Sequence, residues 1–209
     1  MLIEVLDIME QSLYIIDDDS DIREYISAIT DSLHIMNQSY KSATEFLASY
    51  RSDFQGCILS DVLMPDMTGL EFQEQLIHKN IKLPLILMSS FGNISMVKMA
   101  LKRGAIDFLE KPLNIQELTQ SILSGLQISD EQNKRNHQVD DVERKLHSLT
   151  KREYEIFILL INGIANHQIA NNLSLSVRTI ETHRYRIMKK MEVNSLMVLA
   201  QTFKYLIED

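Results

Sequence analysis

The apolar positions change period along the chain. Three short runs are almost wholly apolar: Leu13-Tyr14-Ile15-Ile16, Cys57-Ile58-Leu59 and Leu85-Ile86-Leu87-Met88. Runs of that length, bounded by polar residues, read as strands buried on both faces. Between and after them, apolar residues recur every three or four positions: Ile22, Ile26, Ile29; Leu70, Phe72, Leu76; Val97, Ala100, Leu101; Ile115, Leu118, Ile122, Leu126. That spacing gives helices with one apolar face. Buried strands alternating with such helices predict a doubly wound α/β layer of about five parallel strands. Asn114, with Glu117 three residues on, opens the last helix as a capping box.

The pattern stops at Ser129–Gln138 (SDEQNKRNHQ), which has no apolar residue. Such a stretch supplies no buried face and reads as a linker, and a continuous coiled coil from 114 to 146 is not expected across it. Beyond it, Val139, Val142 and Leu146 can begin a helix packed on the second module. Thr150 with Glu153 forms another capping box, Ile156, Phe157, Leu160 and Ile161 form an apolar face, and Gly163 can end that helix. Three further helical segments follow, without a strand pattern. The division is an N-terminal extension (1–12), an α/β domain (13–128), a linker (129–146) and a small all-α domain (147–209). In the extension, Leu2, Val5, Leu6 and Met9 have helical spacing.

Charge sharpens this division. The chain of 209 residues carries a net −8. Residues 1–128 hold nine basic and eighteen acidic side chains, a net −9; residues 129–146 hold −1; residues 147–209 hold +2. An acidic front and a mildly basic back imply two modules with different partners. No apolar run approaches the ~18–20 residues that span a bilayer. The first ten residues contain no basic side chain, unlike a secretory leader. One cysteine, Cys57, excludes an internal disulfide framework and fits a reducing cytoplasm. The six histidines never fall at metal-ligand spacing, which argues against a His/Cys zinc site.

In open α/β sheets, ligands bind beyond the carboxyl ends of the strands. The polar residues that follow the apolar runs are therefore candidates. Asp17, Asp18 and Asp19 follow the first run, Asp61 the second, and Ser89 and Ser90 the third; Lys111-Pro112 follows Phe108-Leu109-Glu110. Clustered carboxylates repel and need a cation, and hard oxygen ligands suit Mg²⁺. A carboxylate beside such a cation and a lysine can act as a nucleophile toward a phosphoryl group. The alternative is that the aspartates only cap a helix and Lys111 is solvated.

Residues 13–126 resemble the receiver domain of two-component response regulators. The motifs that carry the likeness are IIDDD (15–19), SDVLMPDMTG (60–69), LILMSS (85–90) and FLEKP (108–112). The resemblance implies a CheY-like fold in which Asp61 is the phospho-acceptor, fed by a sensor histidine kinase. Asp18, Asp61 and the backbone carbonyl of Leu63 would hold Mg²⁺ directly, and Asp17 through water. Lys111 would pair with the phosphoryl group, across a cis bond to Pro112. Ser89 takes the place of the switch hydroxyl, often threonine, and Phe108 that of the switch aromatic, often tyrosine. Asp19 would start a helix. Leu63 and Phe91 would flank the phosphoryl group, and neither can orient or deprotonate a water, which predicts slow self-dephosphorylation. Leu63 also stands where an Asp-nucleophile hydrolase carries its second aspartate, so an enzyme is not the reading.

The segment Ser176–Lys190 (SVRTIETHRYRIMKK) has five basic residues and one acidic. On a helix, Ile180, Ile187 and Met191 share a buried face, and Arg178, Thr182, Tyr185 and Lys189 share the opposite one, with Glu181 beside them. Base-reading and phosphate-binding groups together suit a major groove. Ser176 is a good N-cap, and the helix start with Arg178 and Thr179 can hold a DNA phosphate. Upstream, Gln168-Ile169-Ala170 and Leu173 form a short helix, and Ser174-Leu175 a tight turn. A solvated amphipathic helix is the alternative. Residues 149–207 resemble a LuxR-type helix-turn-helix through LTKREYEIF (149–157), NGIANHQIANNL (162–173) and SVRTIETHRYRIMKKM (176–191). With the receiver, the chain is similar to the FixJ/NarL class. That resemblance implies that Glu181, Thr182 and Tyr185 face bases, and that Arg178, Thr179, Lys189 and Lys190 face phosphates. The last helix (Leu196, Leu199, Ala200, Phe203) resembles the family's dimerisation helix, although its stripe can equally be intradomain core.

The expectation is a cytoplasmic transcriptional regulator. Phosphorylation would control its homodimerisation and its binding to double-stranded promoter DNA, with RNA polymerase as a possible further partner and no membrane. Its rivals are a phosphate-independent DNA-binding regulator and a phosphoryl-transfer intermediate acting through protein contacts.

Overall fold

The computed structural model describes residues 11–91 and 94–203. The helical spacing read over Leu2–Met9 lies outside them. Strands β1 (Ser12–Ile16), β2 (Met36–Tyr40), β3 (Gly56–Asp61), β4 (Leu85–Ser89) and β5 (Asp107–Glu110) form one parallel sheet in the order β2-β1-β3-β4-β5. The reversal of strand order at β1 and β3 opens a crevice at their carboxyl ends. The register places Ile16 opposite Ser60, Asp61 opposite Met88, and Ser89 opposite Glu110, so the ends of four strands reach one edge.

Helices α1 (Ser20–Ser32), α2 (Ala43–Ser49), α3 (Gly69–His78), α4 (Ile94–Lys102) and α5 (Ile115–His147) alternate with the strands. Side chains leave a strand alternately to its two faces, so each apolar run feeds two cores. Tyr14, Ile16, Ile58 and Leu87 pack with Phe46 of α2, Phe72 of α3 and Ala100 of α4. Leu13, Ile15, Cys57, Leu59 and Ile86 pack with Ile26 of α1 and Leu118, Ile122 and Leu126 of α5. At Gly125 a Cβ would sit 3.0 Å from both Cβ and Sγ of Cys57, so glycine lets α5 lie close on β3.

The expected break at Ser129–Gln138 is absent: α5 runs unbroken for 33 residues. Nothing between Leu126 and His147 stops a helix, since there is neither glycine nor proline. The polar stretch is carried by pairs one turn apart, Gln127–Glu131 and Asp130–Lys134. Lack of an apolar face removes packing but does not remove helicity. Ser129 is itself buried, and its Oγ accepts the Gly56 amide at 3.1 Å. The chain divides into two compact units after Lys134.

The second unit packs α6 (Lys151–Ile161), α7 (Asn166–Asn172), α8 (Val177–Lys190) and α9 (Leu196–Phe203) around Phe157, Ile169, Ile180, Ile187, Leu199 and Phe203. Val142 and Leu146 of α5 pack on this core, while Val139 is exposed. The α9 stripe is thus intradomain core at Leu199 and Phe203, and Met197 and Val198 are exposed.

Among the described residues, six helices end alike. A left-handed residue follows each of α1, α3, α4, α6, α7 and α8: His34, Asn80, Gly104, Gly163, Ser174 and Glu192. The next residue, always apolar, donates its amide back to the carbonyl five positions earlier, as Ile35 does to Thr30 and Leu175 to Ala170. This is the Schellman closure with its apolar contact.

Candidate functional site

The acidic site sits at the carboxyl edge of the sheet. Asp17 follows β1, Asp61 ends β3, Ser89 ends β4, and Lys111 follows β5. Lys111 Nζ lies 2.7 Å from Asp17 Oδ2 and 2.6 Å from Asp61 Oδ1, bridging residues 94 and 50 positions away in sequence. The Lys111–Pro112 bond is cis, and the Lys111 amide donates to the Ser89 carbonyl at 2.9 Å. Asp17 and Asp61 are buried, whereas Asp18 is exposed. Burial pushes the Asp17 carboxyl up from its ordinary value, and the bonds from Lys111 and the Asp19 amide recover only part of that. Burial also opposes the Lys111 ammonium, but the two carboxylates outweigh it and raise its pKa.

Neighbouring backbone fixes Asp61. The Leu63 amide donates to Asp61 Oδ2 at 2.8 Å. The Gly69 amide, at the start of α3, donates to the Val62 carbonyl at 2.8 Å. A Cβ on Gly69 would come 2.8 Å from the Asp61 carbonyl oxygen, so only glycine lets α3 approach the loop after β3. Thr68 and Glu71 close a reciprocal cap on that helix. Asp19 caps α1, in keeping with a helix-starting role. Ser89 is fully buried, and its Oγ accepts the Phe91 amide at 3.1 Å. Phe108 is half-buried against the α2–α4 core. Leu63 and Phe91 are exposed, at 51% and 77%.

One contributor was missed from sequence. Arg23 Nη1 donates to the carbonyls of Asp17 (2.7 Å) and Asp18 (3.1 Å) and so holds the acidic loop. Its position one turn into α1 carries no pattern that announces this.

Among the described residues, no three His, Cys, Asp or Glu side chains close on a common point as a metal cluster. Lys111 stands between Asp17 and Asp61, and Asp18 projects outside. Three carboxylates against one ammonium still leave a deficit of positive charge, and all-oxygen donors match a hard divalent cation such as Mg²⁺.

The second unit presents α7, a turn through Ser174 (φ 53°), and α8 capped by Ser176, whose Oγ accepts the Thr179 amide at 3.0 Å. Ile180 and Ile187 are buried, while Arg178, Glu181, Thr182, Tyr185 and Lys189 are exposed, Tyr185 at 69%. Thr179 is half-buried, its hydroxyl 2.8 Å from that of Ser176. Lys190 departs from the phosphate-facing set. Its Nζ donates to Glu153 Oε2 at 2.7 Å and to the Ser148 carbonyl at 2.8 Å. A buried carboxylate on α6 demands a cation, and Lys190 is the one that α8 supplies.

A parallel sheet ordered 2-1-3-4-5 with a lysine-bridged aspartate pair at its switch point, joined to a helix-turn-helix unit, defines a receiver coupled to a DNA-binding domain. Residues 13–123 match the response regulator receiver domain, and residues 147–203 match the luxR family of bacterial regulatory proteins. The response regulator TmoT of Ectopseudomonas mendocina is 35% identical over 192 residues, 92% of this chain and 87% of that protein. The transcriptional regulatory protein FixJ of Azorhizobium caulinodans is 33% identical, covering 92% of each. The solved structure of the response regulator StyR superposes with a TM-score of 0.88 at 34% identity, covering 93% of this chain and 98% of that one. The chain belongs to the two-component response regulators that join a receiver to a LuxR-type DNA-binding domain, as the motifs imply. Its relatives are transcriptional regulators, and receivers of this family generally bind Mg²⁺ at the phosphorylation site. Among the described residues, no helix is long and apolar enough to cross a membrane.

Proposed function

We propose that Asp61 accepts a phosphoryl group from a sensor histidine kinase, and that this controls homodimerisation and the reading of promoter DNA. The observation that carries the reading is the bridge of Lys111 to both Asp61 and buried Asp17 at the open edge of the sheet. An Asp61 oxygen attacks phosphorus, the donor's N–P bond breaks with its electron pair returning to the imidazole, and an acyl phosphate remains. Lys111 transfers its ion pair from the carboxylate to the phosphoryl oxygens. Asp17, Asp18, Asp61 and the Leu63 carbonyl would hold Mg²⁺, which offsets charge on those oxygens. Ser89 turns its hydroxyl toward the new anion, and Phe108 follows inward, which is a local charge event biasing a two-state surface. The protein itself acts as a regulator rather than an enzyme, in the cytoplasm, with RNA polymerase as a further contact.

The operative division is receiver 13–128, helical linker 129–146 and DNA-binding domain 147–209, with Ser12 at the end of the extension 1–12 already paired into β1. On DNA, Glu181, Thr182 and Tyr185 read bases, and Arg178, Thr179 and Lys189 hold phosphates. The test is intact-mass analysis with acetyl phosphate and Mg²⁺, followed by promoter-DNA binding. Wild type gains a phosphoryl adduct of about 80 Da and binds DNA more tightly, and Asp61→Asn does neither. An adduct that survives in Asp61→Asn refutes the acceptor. DNA affinity indifferent to the adduct favours phosphate-independent control.

A further inference from the structure

We infer that Arg152 is a positioning residue for DNA recognition, and that with Glu153 it sets the angle at which α8 meets the duplex. The inference rests on α8 being the reading helix. Arg152 and Glu153 are consecutive in the first turn of α6, and they grip the helix-turn-helix at two separate places, the turn and the far end of α8. Arg152 Nη2 donates to the Leu173 carbonyl at 3.0 Å, where α7 gives way to the turn. Glu153 Oε2 takes Lys190 Nζ at 2.7 Å, at the last residue of α8.

Each grip answers a local need. Leu173 is the C-cap of α7, and carbonyls at a helix C-terminus lack intrahelical donors and carry partial negative charge. A guanidinium satisfies both conditions. The next residue, Ser174, holds φ at 53°, a conformation costly for a residue with a Cβ, so the turn needs outside support. At the other end, Glu153 is buried and itself fixed by the Thr150 amide and hydroxyl, at 2.9 and 3.0 Å. A 14-residue helix is about 21 Å long and nearly rigid. Fixing its last residue, Lys190, and the turn that leads into it at Leu173, both from one turn of a neighbouring helix, leaves little freedom of tilt. Base readout tolerates only about 10–20° of misalignment, whereas phosphate attraction is far less directional. Arg152 also pairs with Glu155 at 2.7 Å, but that contact lies on the solvent side of α6 and fastens nothing across the domain.

The test uses the full chain and two duplexes of equal length, one enriched from a random library by the wild type and one scrambled. Arg152→Met keeps the apolar stem and removes both grips of the guanidinium. We expect at least tenfold weaker binding of the enriched duplex, with affinity for the scrambled duplex and its salt dependence unchanged. Arg152→Lys, which retains a donor, restores most of the loss, and Glu155→Gln changes nothing. Amide exchange in α6 and α8 of Arg152→Met reports whether the domain is folded. Equal weakening on both duplexes with a shallower salt slope makes Arg152 a phosphate contact and overturns the inference. Unchanged discrimination in Arg152→Met, or failure of Arg152→Lys to restore it in a folded domain, overturns it as well. If the wild type enriches no duplex, the DNA-binding reading itself fails, a result separate from these.

Discussion

Both units bury a carboxylate against a lysine, and the two pairs behave in opposite ways. In the receiver, one ammonium serves two buried carboxylates, and the Asp17 carboxyl is raised from its ordinary value. In the DNA-binding unit, one ammonium serves one carboxylate that also accepts an amide and a hydroxyl. There burial is outweighed by Lys190 and Thr150, and the Glu153 carboxyl is held down to about 2. The same residue types leave charge over in the first unit and balance it into a fastener in the second. On the proposed function, surplus negative charge would let the first site take a cation and a phosphoryl group.

The strongest way to break this contrast is to remove one carboxylate from each. Glu153→Gln leaves Lys190 half-paired and should cost about 2 kcal/mol, read as lost amide protection in α6 and α8. Asp17→Asn relieves crowding and should stabilise the receiver by roughly 1 kcal/mol, while impairing phosphorylation. Loss of stability in both would show that the receiver's charge is also balanced. Acid gives the next effect. The depressed Glu153 value means its stabilising contribution is complete above its ordinary 4.5 and disappears as pH falls toward about 2. Exchange protection in α6 and α8 should therefore decline over that window, and Glu153→Gln should flatten the decline.

Salt separates the two neighbouring lysines. Lys189→Ala should lower the salt slope of DNA binding by about one. Lys190→Ala should leave the slope alone and loosen the domain. The smallest expected effect concerns the lifetime of the acyl phosphate. Leu63 and Phe91 are exposed at the site yet carry no group that activates water. The double change Leu63→Asn with Phe91→His should shorten the phosphoryl half-life several-fold; an unchanged half-life would mean that both positions serve packing alone.

The central strands were legible because burial on both faces leaves continuous apolar runs, as in Ile58-Leu59 and Leu85–Met88. Edge strand β2 (MNQSY) was not legible, since only Tyr40 is buried and its alternation is polar. Nor was short α2, which has only seven residues. The placing of Asp61 and Lys111 at strand ends, and the caps at Thr150 and Ser176, were readable from residue type and position. Arg23, the double duty of Lys190 and the unbroken α5 were not. The first two depend on long side chains meeting backbone or charge outside any fixed spacing, and the last on the mere absence of a breaker.

The repeated helix ending bears on heat tolerance. Only two of its six left-handed positions are glycine; His34, Asn80, Ser174 and Glu192 each carry a Cβ in a conformation that disfavours one, by up to roughly 1–2 kcal/mol. Asparagine suffers least there and Glu192 also pairs with Lys145 at 2.8 Å, so His34 and Ser174 offer the larger gains on exchange for glycine, partly offset by the floppier unfolded chain. None of the four belongs to the Asp17–Asp61–Lys111 cluster or to the exposed face of α8, so melting temperature has room to rise without rebuilding either.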